Sequence, residues 1–546
     1  MFVRRLNPEN PMPISPLIAA QQAWQQLLGP DRVHLEGYIP SHFTADTSGS
    51  FRDIPTVLKI SEAAQIPEVL RIARAHGVPI HPVSTGNNWG YGSALPPTDG
   101  ATVLDLSGLK EILHFDEQLG VATLEPGVTQ GMLADYLDRH NLPYMVPTTG
   151  AGPSCSVLAN ALERGYGVTP YVDHFSAVTD LEAVLADGRI YKSALREAGG
   201  EDLARLSRWG IGPFSNGLFS QSGFGVVTRA SILLAPRPEC CKVCVFNLPS
   251  DDLLEEAVTR IQGLLSGLPG ILGGINLMNR HRVLAMSAPY PPAEQRDARG
   301  LMPPALVAEL GRQYQIGPWT GFATLYGRKR VVAAAQKEIR KALKGVAERL
   351  LFLSSTQARW LSTTATRLPG RLGERLGKTA GTLNSALELV QGRPNETALP
   401  LAYWRSGNSQ PSHERDPARD RCGLLWYAPL VPMRSGDVRR FIEFATFELA
   451  KHGLEPLITL TSQGDRLFDS TIPLLFDLKD GDARLAAHEC LARLTESGRS
   501  LGFYPYRLHL DGMRAHAERH PLSAHFVQRL RSALDPDDLL SPGRYV

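Results

Sequence analysis

A glycine-rich loop is the part of this sequence whose residues are best suited to chemistry. It runs from Ser84 to Gly92 (Ser-Thr-Gly-Asn-Asn-Trp-Gly-Tyr-Gly), with three glycines and two asparagines in nine residues. Such a composition lets successive backbone N–H groups turn inward and bind phosphate oxygens. The spacing matches neither G-x-G-x-x-G nor Walker A, so those two phosphate motifs are excluded. A tight surface turn is the alternative interpretation, although Tyr91 is an unusual residue for such a turn.

Two other groups of residues could carry chemistry. Cys240, Cys241 and Cys244 suggest a metal site, but no second Cys or His pair lies nearby at ligand spacing, and their segment alternates like a strand. We therefore expect no metal site. Asp173-His174 could be an acid–base pair, and a structural role is at least as well supported as a catalytic one.

A β-α-β unit should position the loop. A short β-branched run over residues 56–60 precedes an amphipathic helix that ends at His76-Gly77, and the strand Ile80 to Val83 leads directly into Ser84. Further strand-like runs continue to about Pro238 and indicate an α+β domain. Beyond it the sequence predicts helices over residues 16–28, 251–265, 328–351 and 438–451, and a strand over 423–427.

Composition limits the class of protein. The 546 residues are 43% apolar and 21% charged, as in soluble globular proteins of two or more domains. The net charge of +2 argues against a nucleic-acid binder, and no run approaches the ~18 apolar residues of a membrane span. The N-terminus has no signal-peptide pattern, and six cysteines are too few for a disulfide scaffold, so we expect a cytoplasmic protein.

Motifs in several parts of the chain resemble those of flavoproteins of the vanillyl-alcohol oxidase / p-cresol methylhydroxylase (4-cresol dehydrogenase) family. The resemblance covers most of residues 50–238, resumes at about 420 and continues to the C-terminus. It is carried by the loop with its flanks (82–96) and by segments 103–106, 125–129, 160–170, 173–174, 185–188, 217–225, 535–536 and 542–544.

The resemblance implies FAD as the cofactor. It places the pyrophosphate in the loop, the isoalloxazine ring beside residues 150–160, the adenosine end near residues 223–227, and the C-terminal arginine over the cofactor. The cofactor-binding residues so implied are Ser84, Thr85, Gly86, Asn87, Asn88, Gly90, Gly92, Gly150, Ser154, Gly223, Gly225, Val227 and Arg544.

The fold implied is α+β: a two-subdomain FAD-binding module of the p-cresol methylhydroxylase (PCMH) type, plus an antiparallel-sheet cap domain with flanking helices that holds the substrate. The expected boundaries are an N-terminal arm (1–47), the FAD-binding domain (48–238), the cap (239–490) and a C-terminal segment returning to the FAD domain (491–546).

The resemblance also implies a substrate site. Tyr91, Tyr506 and Arg507 match the two tyrosines and the arginine that bind the phenolic oxygen in phenol-oxidising relatives. A free phenol has a pKa near 10, whereas arginine stays charged and offers several N–H donors. The three side chains would therefore favour the phenolate in an apolar pocket.

Two positions at which relatives attach FAD covalently lack histidine here. Leu424 stands where the family's oxidases carry it, and Asn88 stands near the attachment point in the phosphate loop. We therefore expect noncovalent FAD, with His413, a tyrosine or Cys422 as the alternatives. Residues 146–156 contain no acid to match the aspartate of the vanillyl-alcohol oxidases, and residues 467–470 replace a Met-His-His run, so the substrate should differ from a simple vanillyl alcohol.

These observations predict an FAD-dependent oxidase or dehydrogenase that oxidises a para-substituted phenol or related aromatic by hydride transfer to flavin N5. Two alternatives stay open: a noncovalent FAD oxidase or desaturase of specialised metabolism acting on an alcohol or amine, and a flavin-binding partner subunit without catalysis. The electron acceptor would be O2 or an electron-transfer partner. A homodimer is compatible with the sequence, and no nucleic-acid or membrane partner is expected.

Overall fold

The structure is a computed structural model that describes residues 15–359, 381 and 383–545. Among these residues no helix is both long and apolar enough to cross a membrane. Two regions share the chain, an N-terminal region with two small sheets and a cap built on one large sheet.

The N-terminal region begins with a four-stranded sheet of order β1-β2-β4-β3. The strands β2, β4 and β3 are parallel to one another, and β1 pairs with β2 in the antiparallel sense. The first helix packs on the sheet as predicted for residues 16–28, and its buried Trp24 donates a hydrogen bond to the carbonyl of Val69, 3.2 Å away. The elements are α1 (Pro16–Leu28), β1 (Val33–Leu35), β2 (Thr56–Lys59), α2 (Ile66–His76), β3 (Ile80–Val83) and β4 (Thr102–Asp105).

The second sheet of this region is antiparallel, with five strands in the order β5-β6-β10-β8-β9, and a two-stranded ladder joins β7 to β11. Its helices cover a separate apolar core. The elements are β5 (Ile112–Asp116), β6 (Val121–Leu124), α3 (Gln130–Arg139), β7 (Tyr144–Met145), α4 (Val157–Leu162), β8 (Val178–Val184), β9 (Ile190–Lys192), α5 (Ala194–Glu197), α6 (Glu201–Leu206), β10 (Val226–Leu233) and β11 (Ala235–Pro236).

The cap is a nine-stranded antiparallel sheet of order β15-β12-β14-β13-β18-β19-β17-β20, with β16 also paired to β19. The elements are β12 (Cys240–Leu248), α7 (Leu254–Gly267), β13 (Leu272–Asn279), α8 (Arg280–Ser287), α9 (Pro304–Tyr314), β14 (Trp319–Gly327), α10 (Lys329–Ala342), β15 (Glu348–Leu353), β16 (Gly423–Tyr427), β17 (Pro429–Pro432), α11 (Ser435–Lys451), β18 (Thr459–Gln463), β19 (Leu467–Phe476), α12 (Gly481–Ser500) and β20 (Tyr504–Pro505).

The two faces of the cap sheet have different partners. Alternate residues such as Leu460, Phe468 and Phe503 point into a large apolar core shared with the helices α7, α10, α11 and α12. Because side chains alternate along a strand, their neighbours point to the opposite side, which we call the inner face. The inner face meets the N-terminal region: the rings of Tyr506 and Tyr166 lie 4.8 Å apart between centroids.

The last part of the chain returns to the first sheet, as expected for a C-terminal segment. After α13 (Leu510–Arg519) and α14 (Pro521–Leu534), the backbone forms a parallel bridge between Leu540 and Ile80 of β3. The Ile80 amide donates to the Leu539 carbonyl at 2.8 Å, and Ser541 donates back to Ile80 at 2.8 Å. This places the C-terminal residues beside the strand that leads into the glycine-rich loop.

One predicted element is wrong in part. The basic helix expected over residues 328–351 ends at Ala342, and Glu348–Leu353 instead forms the edge strand β15, paired with β12. The apolar residues of the strand continue the helical pattern of α10, so sequence periodicity did not separate the two elements, whereas pairing with the free edge of β12 did. The α+β class and the antiparallel cap sheet are confirmed, while the four domain boundaries stay predictions.

Candidate active site

The glycine-rich loop follows β3 and needs its glycines for two reasons. Gly86, Gly90 and Gly92 have φ angles of +70°, +79° and +121°, a region that side chains other than hydrogen rarely adopt. A Cβ on Gly90 would lie 2.3 Å from the Trp426 ring, and one on Gly92 would lie 2.0 Å from Leu510. The loop is therefore pressed against the inner face of the cap and against α13, which makes it part of an interface and not a free surface turn.

Two cavities meet at Ser84, on either side of the loop. The larger, of about 560 Å³, is lined by Ser84, Thr85, Asn87 and Ser154 among others. The smaller, of about 100 Å³, is lined by Ser84, Gly225, Val227 and Arg544. Seven of the residues predicted to bind the cofactor thus surround one elongated space: Ser84, Thr85, Asn87, Ser154, Gly225, Val227 and Arg544.

The remaining predicted cofactor residues contribute backbone and packing. Gly86 and Gly90 lie in the loop itself, and the Gly90 amide donates to Thr47 Oγ1 at 2.8 Å. Gly150 lies against Ala398, and Gly223 lies against the Leu540 carbonyl, where an added Cβ would come within 2.5 Å. Neither of these two glycines lines either cavity, so both lie behind the residues that form the cavity surface.

The elongated space fits a phosphate-bearing dinucleotide such as FAD. Asn87 Nδ2 donates to Ser154 Oγ at 2.9 Å, which ties the loop to the segment predicted to lie beside the isoalloxazine ring. At the other end Arg544 pairs with Glu163, and its buried Nε has no partner among the described residues. Loop glycines, a long cavity and an unsatisfied cationic donor are the features that such a cofactor requires.

The three residues predicted to bind substrate come together beside the loop. The Arg507 guanidinium carbon lies 4.0 Å from the centroid of the Tyr91 ring, a cation–π contact. Tyr506 hydrogen-bonds to Tyr91, and Arg507 Nη2 donates to Asn88 Oδ1 at 2.6 Å. Residues separated by more than 400 positions therefore form one cluster, because β20 carries residues 504–505 to the edge of the cap sheet directly above the loop.

The electrostatics of this cluster combine the cation of Arg507, the carboxylate of Glu163 at 3.6 Å from it, and two tyrosine hydroxyls. Burial opposes the charge of Arg507, but Tyr91 and Glu163 together hold its pKa above the usual value, so the guanidinium stays charged. Burial also raises the pKa of Tyr91 and of Tyr506, so both hydroxyls stay protonated and able to donate hydrogen bonds. One cation and two neutral hydroxyl donors are thus buried together beside the loop.

Asp469 is a residue of this cluster that sequence reasoning missed. It lies on β19 opposite Leu430 of β17, and Leu430 in turn pairs with Tyr504, so Asp469 and Tyr506 share the inner face. Its side chain is buried, and Oδ1 has no hydrogen-bond partner among the described residues. Burial raises the pKa of Asp469 to about 8, against the opposing effect of Arg507. The cluster therefore contains a buried acid that comes from the cap and not from residues 146–156.

The attachment alternatives are placed as follows. Leu424 is buried on the inner face of β16, in an apolar cluster with Trp89 of the loop. His413 lies on an exposed stretch next to Glu414, which lines the larger cavity. Cys422 is fully buried, and burial raises the pKa of its thiol to about 12, which leaves it protonated and a poor nucleophile.

The other chemical candidates have structural surroundings. His174 is buried, burial lowers its pKa to about 4, and Asn160 lies 2.7 Å from its Nδ1, so it is neutral near pH 7. Asp173 accepts a hydrogen bond from the Ser176 backbone. All six cysteines lie in the described ranges and none forms a disulfide, and in those ranges no cluster of three metal-ligating side chains occurs.

Comparison with known proteins agrees with this geometry. Residues 55–194 match the family model of an FAD binding domain. The 1'-carboxy-chondrochloren decarboxylase of Chondromyces crocatus is 34% identical over 98% of both chains. The 4-cresol dehydrogenase [hydroxylating] flavoprotein subunit of Pseudomonas putida is 26% identical over 96% of this chain and 94% of the relative. A crystal structure of p-cresol methylhydroxylase with substrate bound superposes with a TM-score of 0.85, at 24% identity and 97% coverage of each chain.

The fold and the cofactor site thus define an FAD-dependent oxidoreductase with a two-part FAD-binding module and a cap. The chain belongs to the p-cresol methylhydroxylase / vanillyl-alcohol oxidase family of flavoproteins.

The first prediction concerns the flavin linkage. Since Leu424 and Asn88 cannot form a bond to the flavin, we expect the purified protein to be yellow and to release intact FAD on acid or heat denaturation. Absorbance of the supernatant and mass spectrometry of the polypeptide give the measurement. Flavin that remains with the precipitated chain would instead point to His413, a tyrosine or Cys422, which substitution by alanine at each position would distinguish.

Proposed function

We propose that this protein oxidises a para-substituted phenol, with the phenolic oxygen bound by Arg507, Tyr91 and Tyr506. The observation that carries the proposal is that the charged Arg507 stacks over the ring of Tyr91, whose hydroxyl hydrogen-bonds to Tyr506, inside a buried cluster next to the loop. Bound FAD supplies a two-electron acceptor, which takes a hydride at N5. The residues of the chain orient the substrate and stabilise its charge.

The cluster would act by stabilising the phenolate. Removing a phenol proton in water requires a pH near 10, and a buried arginine with two hydroxyl donors lowers that requirement by favouring the anion. The negative charge then delocalises toward the para carbon and assists departure of a hydride from the benzylic position. Asp469, held protonated near neutral pH, places no competing negative charge beside the phenolate.

A second outcome of the same chemistry is favoured by the relative of 34% identity, which is a decarboxylase of a carboxylated substrate. When a hydride leaves the benzylic carbon of a phenolate, a quinone methide results. A carboxylate on the adjacent carbon can then leave as CO2, because the electron pair of its C–C bond forms the side-chain double bond and the ring returns to a phenolate. Substrates without that carboxylate would instead add water or lose a proton.

The alternative of an alcohol or amine oxidase does not require the cluster around one oxygen.

The electron acceptor is proposed as O2 or an electron-transfer partner, and the name of the Pseudomonas putida relative as a flavoprotein subunit is compatible with the second. The alternative of a subunit without catalysis is not supported, because Arg507, Tyr91 and Tyr506 form the complete cluster.

A matched pair of substrates tests the proposal. 4-Ethylphenol and 1-ethyl-4-methoxybenzene differ only by a methyl group on the oxygen, which removes the acidic proton. We expect 4-ethylphenol to bind and react, and the methyl ether to do neither at the same concentration. Equal reaction of the two compounds would show that no phenolate is required and would favour the alcohol or amine reading.

The raised pKa of Asp469 predicts how the stability of the folded protein changes with pH. Its pKa of about 8 in the folded protein exceeds the value of ~4 in the unfolded chain, so the folded state holds the extra proton over that range. Stability should therefore fall as pH rises from about 4 to about 8 and then level off. In Asp469→Asn this contribution is absent, and the urea midpoint should decline less between pH 5 and pH 8.

The exposed Asp135 provides the control, since Asp135→Asn makes the same substitution on the surface of α3. Its urea midpoints should follow those of the wild type at both pH values. An Asp469→Asn curve that also follows the wild type would show that this carboxyl is ionised in the folded protein.

A further inference from the structure

Arg282 is a half-buried cation for which the described part of the chain supplies no counter-charge. Its Nε donates to Thr459 Oγ1 at 3.2 Å, and its buried Nη1 has no hydrogen-bond partner. No carboxylate forms an ion pair with it among the described residues, and burial alone lowers its pKa to about 10. The side chain is therefore still charged at neutral pH, and an uncompensated buried charge is costly.

The position of Arg282 relates it to the active site. It lies on α8, which follows β13, and its contact Thr459 pairs with Thr471, two residues after Asp469 on β19. Thr459 and Asp469 both alternate with core residues, so both belong to the inner face. One turn further along α8, Ala285 packs in the same apolar cluster as Trp89 of the glycine-rich loop and Trp426 of the cap.

The sheet order fixes the spacing between Arg282 and the phenol cluster. From β20, which Tyr506 directly follows, to β18, which carries Thr459, there are three strand steps, or about 14 Å at the usual separation of neighbouring strands. The strands β17 and β19 lie between them, and Asp469 is on β19. Arg282 donates to Thr459, and Asp469 is an electrostatic neighbour of Tyr506, so the two ends of this span lie on the same face of the sheet.

We propose that Arg282 binds a carboxylate on the side chain of the phenolic substrate, so that the substrate class is a phenol carrying a carboxylic acid beyond its para carbon. This inference rests on the proposed function. A guanidinium with Nε held by Thr459 keeps two Nη groups for a carboxylate, the pairing for which its planar fork is suited. The ligand then supplies the counter-charge that the folded chain lacks.

Binding of an unreactive ligand pair tests this inference without turnover. 4-Hydroxycinnamate and 4-hydroxycinnamamide share a phenol and a similar shape, differ in charge, and have no sp3 benzylic C–H from which a hydride could leave. Calorimetric titration of the FAD-loaded protein should show the acid binding about 10- to 100-fold more tightly than the amide. Arg282→Gln should lose that preference by weakening the acid alone, and Arg282→Lys should keep part of it.

Arg280→Gln is the matched control. It removes the same charge from the same helix, but the Arg280 side chain lies against Gly311 of α9, whereas Arg282 donates to Thr459 of the sheet. It should keep the preference for the acid. Equal affinity of acid and amide in the wild type, or loss of FAD from Arg282→Gln, would overturn the inference.

The two ligands also separate this inference from the proposed function. If acid and amide bind the wild type equally, and Arg507→Met weakens binding of the amide, the carboxylate site is overturned and the phenol site is supported. An acid preference that depends on Arg282, with no effect of Arg507→Met on either ligand, would support the carboxylate site and contradict phenolate binding by Arg507.

Discussion

Arg507→Met should keep FAD and lose reduction by phenolic substrates, with a rate loss on the order of 100-fold or more. The substitution removes the buried positive charge that lies 4.0 Å from the Tyr91 ring and keeps an apolar side chain of similar reach. A charge-assisted hydrogen bond contributes roughly 1.5–3 kcal/mol. Residual activity should rise with pH, because solution then supplies the phenolate. Stopped-flow measurement of flavin reduction at several pH values provides the rates.

Two further variants help to interpret the result for Arg507→Met. Tyr506→Phe removes one neutral donor and should cause a smaller loss, and Arg514→Met alters an exposed arginine of α13 and should behave as the wild type. If Arg507→Met loses the flavin, then Arg507 is a cofactor ligand. If it reacts normally with the true substrate, phenolate stabilisation is wrong.

Gly90→Ala should disrupt FAD binding. The residue has a φ of +79°, and an added Cβ would come within 2.3 Å of the Trp426 ring, which packs between the loop and the apolar cluster around Leu424. A rigid indole cannot move aside without opening the contact between loop and cap. We expect the purified variant to carry less than half of the wild-type FAD content, as measured by the ratio of flavin to protein absorbance.

Gly100 offers an unusually close control for that experiment. It has the same φ of +79°, and a Cβ there would meet nothing within 4 Å. Gly100→Ala therefore carries the backbone strain of about 1 kcal/mol without the collision. Full FAD content in Gly90→Ala would show that the contact between loop and cap is not needed to hold the cofactor.

The sequence predicted the parts of the site that come from one continuous segment. The loop from Ser84 to Gly92 carries its phosphate-binding character in its glycines, and the resemblance to known flavoproteins then linked it to Tyr506 and Arg507. The structure brings these residues together. The roles of individual residues toward FAD and substrate stay predictions.

Sequence analysis did not single out residues whose importance depends on their three-dimensional surroundings. Asp469 lies in the apolar strand Leu467–Phe476, and only the pairing of β19 with β17 shows that it shares a face with Tyr506. Arg282 looks like one of many surface arginines in the sequence. Its significance is that a half-buried guanidinium has a buried Nη1 without a partner and no counter-charge, which requires three-dimensional contacts to recognise.

Anaerobic mixing of the FAD-loaded protein with 4-alkylphenols, benzylic alcohols and benzylic amines tests whether oxidation requires a phenol. We expect the 4-alkylphenols to bleach the visible flavin absorption within a single turnover, and the alcohols or amines that lack a phenol to leave it unchanged. Bleaching by an alcohol or amine without a phenolic hydroxyl, while 4-alkylphenols leave the flavin oxidised, would contradict phenolate binding at Arg507, Tyr91 and Tyr506.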